Sequence, residues 1–151
     1  MMGELTVLAM AGLQKSGWFA GRRVSIDSSL RAWRDIDRSP GSEAVEAVRE
    51  FFSLKVRHPH HWSKEAEDLT EIDPVGAVAR TYIPVLVNEY EPAAGQKLTP
   101  IGLMGGGILI FLGEDGAVYG GSSPYLGRYG NSLQEFWNLL YSGRRPVVIK
   151  T

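Results

Sequence analysis

The chain of 151 residues contains no cysteine. This absence excludes disulfide bonds, thiolate metal sites and a cysteine nucleophile, and it agrees with a reducing compartment. The chain also lacks an apolar run long enough to span a bilayer, internal repeats, and any linker rich in Pro, Gly or Ser. We therefore expect a single domain over residues 1–151, large enough to bury a core without disulfides or a metal ion.

A positive charge ahead of the first apolar stretch is missing as well, which is unlike a secretory signal peptide. Apolar residues between Leu5 and Leu13 recur at helical spacing, and Gly17 is well placed to end a helix. The sequence predicts a surface helix at this end, in a soluble protein of the cytoplasm.

An excess of either charge is absent overall, because 16 basic and 17 acidic side chains give a net charge of −1. The total charge therefore favours neither nucleic acid nor an anionic membrane as a partner. The distribution is uneven, however: residues 61–100 carry three basic and seven acidic side chains. The acidic excess is concentrated in the segment KEAEDLTEID, residues 64–73.

Three segments have the apolar spacing and end signals of helices. The first is SSLRAWRDI, with serines able to cap it, and the second begins at Ser42 as its N-cap. The third lies between a cap at Asn131 or Ser132 and a stop at Gly143. Pro74 suits the first position of a further helix, which Pro84 must interrupt.

Strand signals are clearest in the last third of the chain, where GGILIFLGEDGAVYGG predicts a hairpin around residues 113–116. Short strands are also expected in RRVSI, in LKV and, at the sheet edge, in RRPVVIKT. We interpret HPHHWSKEAEDLTEID as irregular and GGSSPYLGRYGNS as a surface loop. Without a strict βαβ rhythm, this order predicts the α+β class, with a mixed or antiparallel sheet flanked by helices.

The stretch KSGWFAGRRVSI, residues 15–26, combines Trp18 and two glycines with a pair of arginines. The spacing fits a corner at which a helix hands over to a strand. We expect Trp18 to be buried against the preceding helix, with its indole N–H bonded to a carbonyl group.

Five motifs in collinear order resemble the third clade of the SUKH superfamily. Gly-Trp followed by Gly-Arg-x-Val-x-Ile is found in AGLQKSGWFAGRRVSI, and the other motifs are IDPVGAV, KLTPIG, ILIFLGEDGAVYG and YGNSLQEFWNLLYSGRRP. The resemblance spans about residues 5–147. Two positions depart from the family pattern: Ser53-Leu54-Lys55 replaces a Gly-Gly-Leu step, and Leu103 stands where an acid is common.

The resemblance implies a SUKH-like fold and a bacterial immunity protein, made beside a polymorphic toxin whose toxic C-terminal domain it binds. Such a toxin domain is often a nuclease or a nucleic-acid deaminase. The resemblance implies protection by a protein–protein contact without catalysis, and it implies no cofactor and no metal ion.

The acidic segment is the strongest candidate for the contact surface, through Glu65, Glu67, Asp68, Glu71 and Asp73. Toxins that act on nucleic acids carry basic clefts, and carboxylates can steer an inhibitor to such a cleft. Trp62 is the expected anchor. Tyr125, Arg128 and Tyr129 are of types enriched at interfaces and extend the candidate surface.

Two alternatives remain open at the level of sequence. The histidines His58, His60 and His61 could hold a metal ion with Glu65 or Glu67, or supply a general base to an enzyme. A small-molecule-binding or regulatory module could instead use a pocket between the sheet and SSPYLGRYG.

Overall fold

The computed structural model describes residues 4–151, and of Lys64 the backbone only. Seven strands form one antiparallel sheet in which sequence neighbours are also sheet neighbours. They are β1 (Lys55–His60), β2 (Ser63–Ile72), β3 (Leu98–Met104), β4 (Ile108–Gly113), β5 (Val118–Ser122), β6 (Tyr125–Gly130) and β7 (Val147–Lys150). The helices are α1 (Val7–Lys15), α2 (Asp27–Asp35), α3 (Ser42–Phe51), α4 (Pro74–Arg80), α5 (Ile83–Val85), a π-helical segment (Leu86–Tyr90), α6 (Glu91–Ala94) and α7 (Leu133–Ser142). The predicted α+β class is confirmed.

The sheet buries apolar side chains on both faces. Ile110 and Leu112 of β4 belong to one hydrophobic cluster, whereas Phe111 between them belongs to a second. Because side chains alternate along a strand, the two clusters lie on opposite faces. We call the face of Ile110 the inner face and the face of Phe111 the outer face.

The inner cluster is the larger of the two and packs α1, α2, α3 and α7 against the sheet. Trp137 of α7 contacts Phe51 at 5.6 Å and Phe136 at 5.0 Å between ring centroids. Trp33 is 1% exposed, and its indole N–H donates to the Pro100 carbonyl at 2.7 Å. A bonded indole is what a buried tryptophan requires.

The outer cluster is covered by the segment from α5 to α6. Leu86 and Tyr90 of its π-helical part pack on Phe111 and Tyr119 of the sheet. The outer faces of β1 and β2 contribute no residue to this cluster. That part of the sheet therefore presents its outer side chains to solvent.

Several predicted element ends are confirmed. The Ser132 hydroxyl caps α7 by accepting from the Glu135 N–H at 3.2 Å, and Gly143 ends the helix with φ of 76°. Pro74 begins α4, and the chain leaves the helix at Thr81, ahead of Pro84. The predicted serine caps elsewhere were wrong, since α3 takes Gly41 as its N-cap and α2 takes Ile26.

The strand predicted in RRVSI is absent: residues 22–26 are an irregular segment running alongside α3. The Arg22 guanidinium fixes this segment by donating to the carbonyls of Glu50 and Phe52, both at 2.8 Å. Trp18 is buried as predicted, but its indole N–H donates to the Glu50 carboxylate at 3.0 Å instead of a carbonyl. The corner therefore connects a helix to a loop.

Two segments predicted as loops are strands. HPHHWSKEAEDLTEID lies mostly in the β1–β2 hairpin, and most of SSPYLGRYG lies in the β5–β6 hairpin. In the second hairpin, Gly120 and Gly127 leave room for the rings of Tyr129 and Tyr125, which a Cβ at either glycine would meet. The glycines therefore mark close side-chain packing within a sheet.

Among residues 4–151, no helix combines the length and the apolar character that crossing a membrane requires.

Candidate protein-binding surface

The β1–β2 hairpin has a mixed charge on its outer face. Cross-strand pairing sets Lys55 opposite Glu71, Arg57 opposite Leu69, and Pro59 opposite Glu67. Cross-strand partners share one face of a sheet, so two basic side chains lie among the acids of β2. The local charge is therefore far closer to neutral than the run of acids in the sequence indicates.

The five candidate acids do not form one surface. Glu65 and Glu67 are exposed and line a groove of about 610 Å³ between α1 and β1, together with Lys15. Asp68 points to the inner side, opposite His58, and its side chain is only 11% exposed. Asp73 is the N-cap of α4 and accepts from the Gly76 N–H at 3.1 Å.

The tip of the β1–β2 hairpin bends across the inner face of the sheet to β6, where His61 contacts Tyr129 within a cluster of rings. The Trp62 ring centroid lies 4.8 Å from that of His61 and 6.5 Å from that of Tyr125. The Arg145 guanidinium carbon sits 4.8 Å from the centre of the Trp62 ring, a cation–π distance. We call His61, Trp62, Tyr125, Tyr129 and Arg145 the tip cluster.

The base of the tip cluster is linked through two tyrosine hydroxyls. The hydroxyls of Tyr125 and Tyr129 are 3.2 Å apart, and the Tyr129 hydroxyl lies 3.4 Å from Nε2 of His61. Burial raises the pKa of both tyrosines, so both phenols stay neutral. Tyr129 is 2% exposed, whereas Trp62 above it is 45% exposed.

Arg128 does not belong to this cluster, because it lies on the outer face opposite Tyr119. It donates to the Tyr119 hydroxyl at 3.2 Å and to Oδ1 of Asn131 at 2.6 Å. The candidate residues Trp62, Tyr125 and Tyr129 are thus brought together, while Arg128 is placed elsewhere.

His58 has a structural role in the core. It is 1% exposed, its Nδ1 lies 2.9 Å from the Pro59 carbonyl oxygen, and its Nε2 lies 2.7 Å from the Thr70 hydroxyl. Because a carbonyl only accepts, Nδ1 carries the proton and Nε2 accepts from Thr70. Burial lowers the pKa of His58, which agrees with this neutral form.

The other two histidines are held in different surroundings. Nδ1 of His60 accepts from the Trp62 N–H at 3.1 Å, and the His60 and His61 rings stack with centroids 5.5 Å apart. Burial, followed by the neighbouring His60, lowers the pKa of His61 to about 4. Within the described residues, no three His, Asp or Glu side chains are arranged to hold a metal ion.

A cavity of about 380 Å³ lies beside β6, near the place that the small-molecule alternative indicated. Arg128, Tyr129 and Gly130 contribute to its wall, together with the start of α7 and the Arg144–Val147 segment. Arg128 and Tyr129 already make the hydrogen bonds described above. Much of the polar lining is therefore committed to the fold.

Sequence reasoning missed two members of the tip cluster, His61 as a partner of Tyr129 and Arg145 as a partner of Trp62. β2 and β6 are not neighbours in the sheet, so no pairing pattern connects these residues. Only the bend of the hairpin tip brings them together. His61 and Trp62 are far in sequence from Arg145, which follows α7, so no local sequence pattern predicts that they form a cluster.

Comparison with protein-family models matches residues 6–143 to the SUKH-3 immunity protein family. Comparisons with curated proteins and with solved structures found no match. The matched range runs from the start of α1 to the residue that ends α7, and it includes the tip cluster except Arg145. The chain belongs to the SUKH-3 immunity protein family.

Proposed function

We propose that this protein binds and neutralises the toxic C-terminal domain of a cognate polymorphic toxin, a nuclease or a nucleic-acid deaminase. It acts in the cytoplasm of the producing cell by covering the toxin domain, and it catalyses no reaction. Membership of an immunity family supports the proposal, and so does the structural role of His58, the most buried of the three histidines.

One observation carries the choice of surface: Trp62 is 45% exposed although its ring is fixed by neighbours. Tryptophan is enriched among the residues that dominate binding energy at interfaces. Arg145 stacks on this ring, and His61 and Tyr125 hold it from other sides. An indole that is already oriented loses little conformational entropy on binding, which favours tight association.

Charge gives a second, weaker contribution. Glu65 and Glu67 are exposed and follow Trp62 within the first half of β2. Their carboxylates can draw in a basic toxin cleft and raise the association rate. Glu71 contributes less because Lys55 lies opposite it. Asp68 faces the inner side of the hairpin opposite His58, and Asp73 caps α4, so both have structural roles.

The direct test substitutes the anchor. Trp62→Ala should weaken binding of the toxin domain encoded beside this gene by about 30-fold or more, the loss expected of a hot-spot tryptophan. Phe19→Ala is the matched control, because Phe19 is an aromatic residue with 59% exposure outside the tip cluster. Its affinity should equal that of the native protein, as measured by calorimetry.

The two possible failures are distinguishable. If the native protein neither binds the toxin domain nor restores growth of cells that express it, the toxin-binding function is wrong. If the native protein binds and Trp62→Ala binds equally well, the function stands and the surface is wrong. A titration also tests the mechanism: protection should require one protein per toxin, whereas a catalytic antidote would protect at a small fraction of that ratio.

The steering role is tested by reversing charge at the tip. Glu65→Lys with Glu67→Lys should slow association and flatten its dependence on salt concentration. The control reverses Asp35 and Glu43, two exposed acids on α2 and α3. Equal association rates for both double variants would remove Glu65 and Glu67 from the mechanism.

A further inference from the structure

The strand β7 presents three consecutive apolar side chains to solvent. Val147 is 65% exposed, Val148 48% and Ile149 37%. Strands that end a sheet in a monomer are usually protected by charge, proline or a covering segment. No proline or charged residue lies within Val147–Ile149, so the middle of this edge is apolar, and Pro146 and the basic residues stand only at its ends.

The backbone of β7 is also open on one side. β7 is the last strand of the sheet and pairs only with β6, at Leu126–Lys150, Gly127–Val148 and Arg128–Val147. Within residues 4–151, the side chain of Lys150 reaches the Pro124 carbonyl, but no side chain or loop bonds to the outward N–H and C=O groups of residues 147–150. Such a row of unpaired groups is a template for one more strand.

Charge at both ends of β7 is positive. Arg144 and Arg145 are exposed and precede the strand, and Lys150 ends it. Lys150 has a partner at 3.7 Å in Glu89, whereas the two arginines make no ion pair among the described side chains. A strand laid along this edge therefore meets an apolar middle between basic ends.

This charge pattern argues against a second copy of the same chain. In an antiparallel pair about a two-fold axis, the start of one strand faces the end of the other. Self-pairing of β7 would set Arg144 and Arg145 of one copy near Lys150 of the next. Like charges placed opposite each other destabilise a strand pair.

We propose that β7 is a strand-addition site that takes an extended segment of another protein, apolar in its middle and acidic at its ends. The added segment becomes the eighth strand of the sheet through backbone hydrogen bonds to β7. Acidic side chains at its ends pair with Arg144, Arg145 and Lys150. The site goes beyond the toxin contact at Trp62 and does not require it.

The site adjoins the tip cluster. By register, Val148 pairs with Gly127 and so lies on the same face as Tyr125 and Tyr129, while Arg145 stacks on Trp62. A segment bound at β7 therefore runs beside the tip cluster. One partner with an extended segment could contact both.

The test uses synthetic peptides of about nine residues, a length suited to one strand. The probe alternates valine and threonine between two glutamates at each end. Three readouts are compared by NMR titration: affinity, hydrogen exchange at the outward amides of residues 147–150, and competition by a peptide with lysines in place of glutamates. A third peptide is the probe with alternate backbone amides methylated, so that it cannot complete the ladder.

The acidic probe should slow exchange at the outward β7 amides and bind at least about tenfold more tightly than the lysine peptide. The methylated probe should not bind. In the variant Arg144→Glu with Arg145→Glu, the preference should reverse toward the lysine peptide. The matched control Arg31→Glu with Arg34→Glu, at exposed positions of α2, should keep the native preference.

Three results would overturn the proposal. The first is no protection of residues 147–150 by the acidic probe. The second is equal binding of the methylated and unmethylated probes, which would show that no strand forms. The third is slow exchange of the outward β7 amides in the free protein. If this protection increases with protein concentration, a second copy covers the edge. If the protection does not depend on concentration, the chain covers the edge itself.

Discussion

The two edge strands of the sheet, β1 and β7, differ in how far the rest of the chain covers them. At β1, the Tyr141 hydroxyl donates to the Arg57 carbonyl, and α1 approaches Tyr141 so closely that Gly12 has no room for a Cβ. At β7, no described side chain performs this task, and apolar residues face solvent. The difference shows that the fold can close an edge with a helix and a tyrosine, so the open edge is not a general consequence of its architecture.

Burial follows the same division. Val56 and His58 of β1 are at most 1% exposed, whereas Val148 of β7 is 48% exposed. β1 is therefore an edge strand by topology but a core strand by packing. Substitutions in β1 should change stability, and substitutions in β7 should change binding.

The largest effect is expected at His58. His58→Ala removes a buried ring and leaves the Thr70 hydroxyl and the Pro59 carbonyl without their partner, at a cost of about 2–4 kcal/mol in the free energy of unfolding. His60→Ala, in the same hairpin, should cost less than about 1 kcal/mol, because its side chain is 33% exposed. Urea unfolding of the two variants measures the difference, and equal costs would show that β1 is not a core strand.

The pH dependence of stability gives the next effect. The folded-state pKa of His61, about 4, lies below the ordinary value of 6.5, so the unfolded chain binds more protons between these values. The contribution of His61 is fully present above pH 6.5 and is lost as the pH falls toward 4. The expected loss in the free energy of unfolding is about 1–2 kcal/mol, which is less than the full pKa shift corresponds to because solvent screens the exposed hairpin tip.

His61→Phe isolates this contribution, since phenylalanine fills a similar space without titrating. The difference between the unfolding free energies of the native protein and the variant should change between pH 7 and pH 4. A constant difference would show that His61 titrates normally. Carboxylates contribute equally to both proteins and so cancel in the comparison.

Tyr141→Phe removes only the hydroxyl that closes the β1 edge. The pKa of Tyr141 is raised to about 12 by burial and then by the Glu67 carboxylate, so the hydroxyl remains a donor at neutral pH. Its loss should cost about 0.5–1.5 kcal/mol. The control is Tyr82→Phe, at a tyrosine with 69% exposure and no described side-chain hydrogen bond, which should leave stability unchanged.

The sequence predicted the elements whose signals are local. Helix α7 has a cap, an apolar stripe and a terminal glycine, and the β4–β5 hairpin has a turn of Gly113 to Gly116 between apolar runs. The closing edge strand was also predicted correctly. These elements depend on neighbouring residues alone, which a single sequence contains in full.

The start of β1 was predicted as a strand in LKV, but the rest of the β1–β2 hairpin was missed because most of its inward residues are polar. His58 and Thr70 are buried as a hydrogen-bonded pair. Asp68 faces inward and Leu69 faces solvent, which is the reverse of the usual pattern of apolar residues inside and polar residues outside. A strand in which the exposed residue is leucine and the inward residue is aspartate has no period-two hydrophobic signal. The partners that satisfy these polar groups lie on other elements.

The candidate site divides in the same way. The aromatic residues Trp62, Tyr125 and Tyr129 were chosen by residue type, and the structure brings them together. The acids were chosen as a run, but a strand turns neighbours in a run to opposite faces, and Asp73 serves as a helix cap. A charge run therefore predicts a surface only when its secondary structure is known.

The smallest effect is expected in β7, and the same substitution, valine to threonine, is made in β7 and in β1 to compare the two edges. Val148→Thr should change the free energy of unfolding by less than about 0.5 kcal/mol, because an exposed threonine bonds to water and suits a strand. Val56→Thr should cost about 1–3 kcal/mol, because residue 56 is 0% exposed and a buried hydroxyl needs a partner. Similar values at the two positions would mean that β7 is covered in solution, and the contrast between a closed and an open edge would then disappear.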